Sequence, residues 1–157
     1  MMIYLLRHGD ALDGARYDDA GRPLSQFGLR QASAVGSFLA SNKSEISLAF
    51  CSPLVRARQT TEAVVRALGE LPTRISDALH SSSDPKEILD ELKTCGSNTV
   101  LLVGHEPHLS RTISLLLWGD GRSRVSMRTC SLACVSTPDP PEKGSGVLQW
   151  LVESKVQ

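Results

Sequence analysis

Two short apolar runs in this chain end in the same way. Met1-Met2-Ile3-Tyr4-Leu5-Leu6 stops at Arg7-His8-Gly9, and Thr99-Val100-Leu101-Leu102-Val103 stops at Gly104-His105-Glu106. Near-continuous apolar runs of this length read as strands buried on both faces, the mark of a parallel sheet. Helices must cover both faces of such a sheet. Open α/β sheets bind ligands in the crevice outside the carboxyl ends of their strands. Arg7, His8 and His105 are therefore expected at one rim.

The rest of the chain alternates to match. A polar loop with Gly14, Asp18, Asp19, Gly21 and Pro23 follows the first strand. Ser25 caps a helix from Gln26 to about Ala40, whose Phe27, Leu29, Ala32, Val35, Phe38 and Leu39 keep a mostly helical period. Ile46 to Cys51 reads as a second strand, and Ser52-Pro53 opens a helix ending before Gly69. A short strand is expected near Thr73 to Ile75. Asp84-Pro85-Lys86-Glu87 supplies a cap, a first-turn proline and an acid at the third helical position. That helix ends near Cys95-Gly96, and another runs from after His108 to about Trp118. Gly119 to Ser126 is a basic loop; Cys130 to Ser136 and Val147 to Val152 are strands, the second an outer one with a wetter face. No repeat or linker interrupts the pattern. It predicts one domain over 1–157, a three-layer α/β/α sandwich with a mostly parallel central sheet.

Lys plus Arg and Asp plus Glu each number 17, so the formal charge is zero. That speaks against nucleic acid or an anionic membrane as partner. No apolar stretch is long enough to span a membrane, and the first run is too short for a signal peptide. A cytoplasmic monomer is the expectation. The four cysteines, Cys51, Cys95, Cys130 and Cys134, form no C-x-x-C pair and are read as free thiols. Cys130 and Cys134 are expected on one face of a strand.

The second strand ends in Cys51-Ser52-Pro53-Leu54-Val55-Arg56. Three parallel strands would bring Arg7, His8, Arg56 and His105 together. Two guanidinium groups and two imidazoles suit a dianionic phosphoryl group. The helices starting after Ser52 and Gly104 add backbone N–H groups and the positive end of their dipoles. A metal hydrolase fits less well. His105-Glu106-Pro107-His108 is not H-E-x-x-H, because Leu109 stands where the second histidine belongs. Neither a metal nor a cofactor is expected.

Arg7-His8-Gly9, Ser52-Pro53-x-x-Arg56-Ala57-x-Gln59-Thr60 and Gly104-His105 together resemble the signature of the histidine phosphatase superfamily, with its phosphoglycerate mutase-like fold. Arg7-His8-Gly9-Asp10-Ala11 and Arg22-Pro23-Leu24-Ser25-x-x-Gly28 are similar to the SixA-type phosphohistidine phosphatases. The resemblance implies that His8 is the nucleophile, that Arg7 and Arg56 clamp the phosphoryl oxygens, and that His105 donates to them. The attacking nitrogen must be unprotonated, so the other ring nitrogen of His8 should donate to an acceptor, expected to be a backbone carbonyl. The substrate implied is a phosphorylated protein carrying phosphohistidine, or a small phosphorylated metabolite. A small-molecule phosphomonoesterase and a non-catalytic module binding phosphorylated protein segments are the alternatives. The chain is too short, and lacks the acid, for a mutase that holds a bisphosphate.

Many members carry an acid between the second and last motifs. Here that region reads Ser76-Asp77-Ala78-Leu79-His80-Ser81-Ser82-Ser83-Asp84-Pro85, and no general acid is assigned in it. Asp84 is better used as a helix cap. Asp77 fits a strand end, and His80 a solvated loop. An alkoxide needs a proton to leave, since its conjugate acid is about as weak as water, at roughly 15.7. Imidazole can leave neutral, with a conjugate acid near about 6.5. Phosphoramidates should therefore be favoured over unactivated monoesters. Gly9, Ser52, Arg22 and Glu106 are further candidates for phosphate or substrate contact. Gly9 would let the backbone approach the ligand, Ser52 would donate to phosphate or cap its helix, Arg22 would reach the substrate or form a loop salt bridge, and Glu106 would sit at a helix start. Asp10 would orient an arginine or solvate the loop, and His108 is a weaker pocket candidate. Arg58 is read as solvated. Arg122, Arg124 and Arg128 form a basic patch, either solvated or steering an acidic protein.

Overall fold

Strict alternation along the central strands sorts the core into two halves. The computed structural model describes residues 1–156. Its strands are β1 (Met2–Arg7), β2 (Leu48–Cys51), β3 (Thr73–Ile75), β4 (Thr99–Gly104), β5 (Leu132–Ser136) and β6 (Val147–Val152). Its helices are α1 (Gln26–Ser41), α2 (Val55–Leu68), α3 (Pro85–Lys93) and α4 (His108–Trp118), with a short 3₁₀ turn at Asp77–Leu79. Ile3, Leu5, Val100 and Leu102 pack with Ile88, Leu89 and Leu92 of α3 and Leu109, Ile113 and Leu116 of α4. Leu6, Ala49, Cys51, Leu101 and Val103 pack with Ala32, Val35 and Leu39 of α1 and Ala57 and Val64 of α2. Each fully buried Leu or Ile contributes about 1.5–3 kcal/mol relative to exposure. The expected three-layer α/β/α sandwich is the observed one.

The six strands lie in the order β3-β2-β4-β1-β5-β6. β3, β2, β4 and β1 are parallel, while β5 pairs antiparallel with β1 and with β6. Register places the site: Arg7 lies opposite Gly104, and Cys51 opposite Val103. Three neighbouring strands thus end together, and His8, Ser52 and His105 are the next residues out. β6 forms an edge. Trp150 covers it by edge-on contacts with Tyr4 and Phe38, each at 5.8 Å between centroids, while Val147, Leu148 and Val152 stay exposed.

Local chemistry sets the helix starts. The Ser25 hydroxyl accepts from Gly28 N at 3.0 Å and donates to Asp10 Oδ2 at 2.5 Å. Asp84 Oδ1 accepts from Lys86 N at 3.0 Å, with Pro85 in the first turn. α2 departs from expectation. It starts at Val55, after Leu54, with no side-chain cap. Val55 N instead donates to Ala20 O at 3.1 Å, so the loop before α1 caps α2. β2 begins at Leu48 rather than Ile46, because Ser47 N already pairs with Thr99 O at the strand entry and Ile46 only flanks the core. Cys130 is not on β5. It has φ of 54°, and its N–H is shared between the carbonyls of Arg7 and His8, at 3.1 Å each. That turn closes the end of β1, so Cys130 and Cys134 do not share a strand face. All four cysteines are buried free thiols.

Candidate active site

The backbone fixes His8 before any side chain does. Its N–H donates to Gly104 O at 3.0 Å, continuing the β1–β4 ladder one residue past the strand. Its ring Nδ1 donates to Gly9 O at 2.7 Å. That bond places the proton on Nδ1 and leaves Nε2 with a lone pair. Burial, helped by the nearby charges of Arg56, Arg7 and Arg22, pushes the His8 pKa down to about 4 against the hydrogen bond to Gly9. His8 is neutral at neutral pH.

Arg56, in the first turn of α2, faces it. Its Nε lies 3.4 Å from His8 Nε2. Its Nη1 donates to Asp19 O at 2.6 Å and its Nη2 to Asp19 Oδ2 at 3.2 Å. Burial disfavours the Asp19 carboxylate, but Arg56 and Arg22 outweigh it and hold the pKa below the usual range. Arg7 is tied from the other side, with Nη1 donating to Met127 O at 2.8 Å. Its Nε is buried and has no acceptor among the described residues.

His105 stacks at a tilt beside His8, with centroids 5.1 Å apart and planes at 52°. Its Nε2 lies 2.7 Å from Ser52 Oγ. Ser52 Oγ also accepts from Leu54 N at 3.4 Å and, among the described residues, meets no acceptor other than His105 Nε2 for its own hydrogen. The proton of His105 then sits on Nδ1, which is buried with no partner among the described residues. Burial first, then the charges of His8 and Arg56, push the His105 pKa down to about 3. Two buried N–H donors, on Arg7 and His105, thus await acceptors. Each such orphan costs about 1–3 kcal/mol, which an oxyanion would remove.

The structure brings Arg7, His8, Arg56, Ser52 and His105 together. Gly9 has a different task from the one expected. Its N–H is spent on Thr60 Oγ1 at 3.1 Å, and a Cβ there would meet Gly28 O at 2.7 Å. It lets α1 approach β1 rather than a ligand approach the backbone. Asp10 pins α1 through Ser25 and through Gln31 Oε1, which accepts from its N–H at 2.9 Å, and makes no hydrogen bond to an arginine. Arg22 forms the loop salt bridge, at 3.5 Å to Asp19, and donates to Leu12 O at 3.0 Å. Asp77 is 92% exposed and Asp84 serves as the α3 cap. His80 is half-exposed, near enough for its charge to disfavour protonation of His105. His108 is fully buried on α4 and makes no hydrogen bond to these groups. Among the described residues, no three His, Cys, Asp or Glu side chains cluster as a metal site, and no helix is long and apolar enough to cross a membrane.

Sequence reasoning missed three supports. Asp19 grips Arg56 across 37 positions. Thr60 braces Gly9 and Arg56, its hydroxyl donating to Arg56 O at 2.7 Å. Gln59 Oε1 accepts from Leu24 N at 2.7 Å and ties the loop to α2. Gln59 and Thr60 carried a signal, since they stand in the quoted motif; Asp19 carried none beyond being an acid in a loop.

The family model of the histidine phosphatase superfamily (branch 1) matches residues 3–82. The chain belongs to this superfamily. It is 29% identical to phosphohistidine phosphatase SixA of Escherichia coli (strain K12), over 96% of this chain and 92% of that protein. It is 32% identical over 107 residues to an uncharacterized protein of Mycobacterium tuberculosis, covering 67% of this chain and 65% of that relative, just under two thirds of its length. The structure of the protein histidine phosphatase SixA complexed with tungstate superposes with a TM-score of 0.87 at 27% identity, covering 98% of this chain and 97% of that one. The matched stretch holds Arg7, His8, Ser52 and Arg56, while His105 lies beyond it at the end of β4.

Proposed function

We propose that this chain is a phosphatase that takes a phosphoryl group onto His8 and passes it to water, with phosphohistidine in proteins as the preferred substrate. One observation carries the reading. His8 presents an unprotonated Nε2 to Arg56 Nε at 3.4 Å, while Gly9 O holds its other nitrogen. A neutral imidazole locked in that tautomer is a nucleophile ready at neutral pH. Nε2 attacks phosphorus; the N–P bond to His8 forms as the bond to the leaving group breaks. Arg7, Arg56 and the Nδ1–H of His105 take the non-bridging oxygens, so charge is met by side chains without a metal ion. When the distal nitrogen of the substrate imidazole carries a proton, the ring departs neutral. Water then attacks the phosphorylated His8, and phosphate leaves with His8 restored.

The substrate class draws support from what surrounds the pocket. Neither Asp77 nor Asp84 is placed to protonate an alkoxide. The similarity to SixA, a phosphohistidine phosphatase by name, agrees. A second reading, a small-molecule phosphomonoesterase, draws on Glu106. Its Oε2 accepts from Ser110 Oγ at 2.5 Å and its Oε1 is buried without a partner. Burial raises its pKa against the pull of Ser110 and Arg7, which suits a carboxyl that holds a proton.

Turnover of phosphoramidate, a histidine-phosphorylated peptide and an alkyl phosphate by wild type and His8→Ala decides between them. The N–P substrates should exceed the alkyl phosphate by at least about ten-fold in kcat/KM, a gap of about 1.4 kcal/mol. Wild type should carry an acid-labile phosphoryl label that His8→Ala lacks. Equal turnover of the alkyl phosphate would favour the monoesterase. Peptide binding with neither label nor turnover would leave a binding module.

A further inference from the structure

The mechanism leaves one charged segment unused. Residues 119–128 carry Arg122, Arg124 and Arg128 against a single acid, Asp120, in a chain of zero formal charge. All three arginines are exposed. The segment runs back along α4 toward the site and is tied down on the way. Arg111 Nε donates to Gly121 O at 3.3 Å, and Arg124 N donates to Ser114 Oγ at 3.2 Å. Ser123 Oγ lies 3.2 Å from Ser110 Oγ, the hydroxyl that meets Glu106. At the far end, Met127 O holds Arg7. The segment that carries the three arginines is thus joined to the site through Met127 O and Arg7.

Its charges are also available. Among the described residues Arg122 has no carboxylate partner, and Arg128 lies 3.7 Å from Glu153 with 80% of its side chain exposed. Arg124 pairs with Asp120 at 2.8 Å and lies 5.4 Å from the ring centre of Trp118, which is 49% exposed. Exposed Trp and Arg side by side are the residue types that dominate binding hot spots. Three arginines in a neutral chain are too few for a nucleic-acid footprint but enough to orient an acidic polypeptide.

Resting on the phosphatase reading above, we propose that Trp118, Arg122, Arg124 and Arg128 dock an acidic segment of the phosphorylated protein substrate while its phosphohistidine meets His8. A small phosphoramidate never reaches this strip. Docking therefore separates the two kinds of substrate.

The test uses phosphoramidate and two histidine-phosphorylated peptides, one flanked by glutamates and one by lysines. R122Q/R128Q should leave phosphoramidate turnover within about two-fold and cut kcat/KM for the glutamate peptide about ten-fold at low salt, the gap closing as salt screens it. R122E/R128E should turn the preference toward the lysine peptide. Peptide affinity, read by fluorescence anisotropy, should follow the same order without any need for turnover. Equal losses on phosphoramidate would show that the loop acts through Arg7 rather than by docking. Unchanged affinity and kcat/KM for the glutamate peptide would overturn the proposal while the phosphatase reading stood. A wild type inactive on all three substrates would sink that reading, and anisotropy would still decide the docking surface.

Discussion

Asp19 grips the far end of Arg56 while Arg56 turns its Nε toward His8. The contacts are 2.6 Å to the Asp19 carbonyl, 3.2 Å to its carboxylate and 3.4 Å across to His8. Two of the guanidinium donors are spent on the loop, and the Nε is held toward His8. The same loop caps α2 through Ala20 O, so the helix that carries Arg56 and the residue that aims it are fixed together. A stretch without regular structure thereby sets the geometry of the chemistry.

Asp19→Ala should lower kcat about two- to five-fold, with a smaller change in KM, as Arg56 regains rotamer freedom. The size follows from an ion pair with one solvent-exposed partner, worth at most about 1 kcal/mol. Steady-state kinetics on phosphoramidate reads it. A rise in kcat/KM would mean instead that Asp19 competes with the phosphoryl oxygens for Arg56.

Ser52 gives His105 its tautomer. Ser52→Ala removes the hydroxyl at 2.7 Å and lets the ring proton move between nitrogens. The expected loss in kcat is about five-fold, the worth of one hydrogen bond of about 1 kcal/mol made in the reacting state. The ¹⁵N shifts of His105 should change from one tautomer to a mixture, which a merely structural defect would not produce. A single unchanged tautomer in the variant would show that other groups set the proton.

Gly28 lets α1 touch the end of β1. A Cβ there would lie 2.0 Å from Asp10 O, which is backbone and cannot swing away. Gly28→Ala should cost about 3 kcal/mol, the upper range for overpacking, seen as an earlier urea midpoint. It should also reduce activity, because Asp10 and Gly9 shift with the strand end that carries His8. A midpoint close to wild type would mean that α1 can slide.

That Arg7, His8, Arg56 and His105 meet was legible because each sits at the edge of an element that could be read: Arg7 and His8 at the end of one apolar run, His105 after another, Arg56 in the first turn of a helix. The near-continuous apolar runs of β1 and β4 made the layers legible, because strands buried on both faces need helices on each side. Asp19 was not legible, since a loop has no period and its partner lies 37 positions away. At Gly9 an invitation to a ligand and an invitation to a packed helix look the same in sequence, and the fold shows the second. Cys130 was misplaced because a positive φ leaves no trace in an apolar, strand-like run.

His108 makes the fold acid-sensitive. It is fully buried, neither ring nitrogen has a partner, and burial with the charge of Arg111 pushes its pKa down to about 4, against the pull of Asp84. Unfolded, it titrates near about 6.5. Between these values the unfolded chain binds a proton that the folded one refuses, so stability falls as pH drops below about 6.5 and stops falling below about 4. His8 and His105, also held neutral, act in the same sense. His108→Leu deletes one of the three contributions and fills nearly the same volume. At pH 8 it should stabilise by about 1 kcal/mol, since two unsatisfied nitrogens leave the core. From pH 8 to pH 5 it should lose about 2 kcal/mol less than wild type. Urea unfolding at the two pH values measures both differences. Equal losses in the two proteins would mean that His108 is charged or hydrated within the fold, and the acid sensitivity would then belong to His8 and His105 alone.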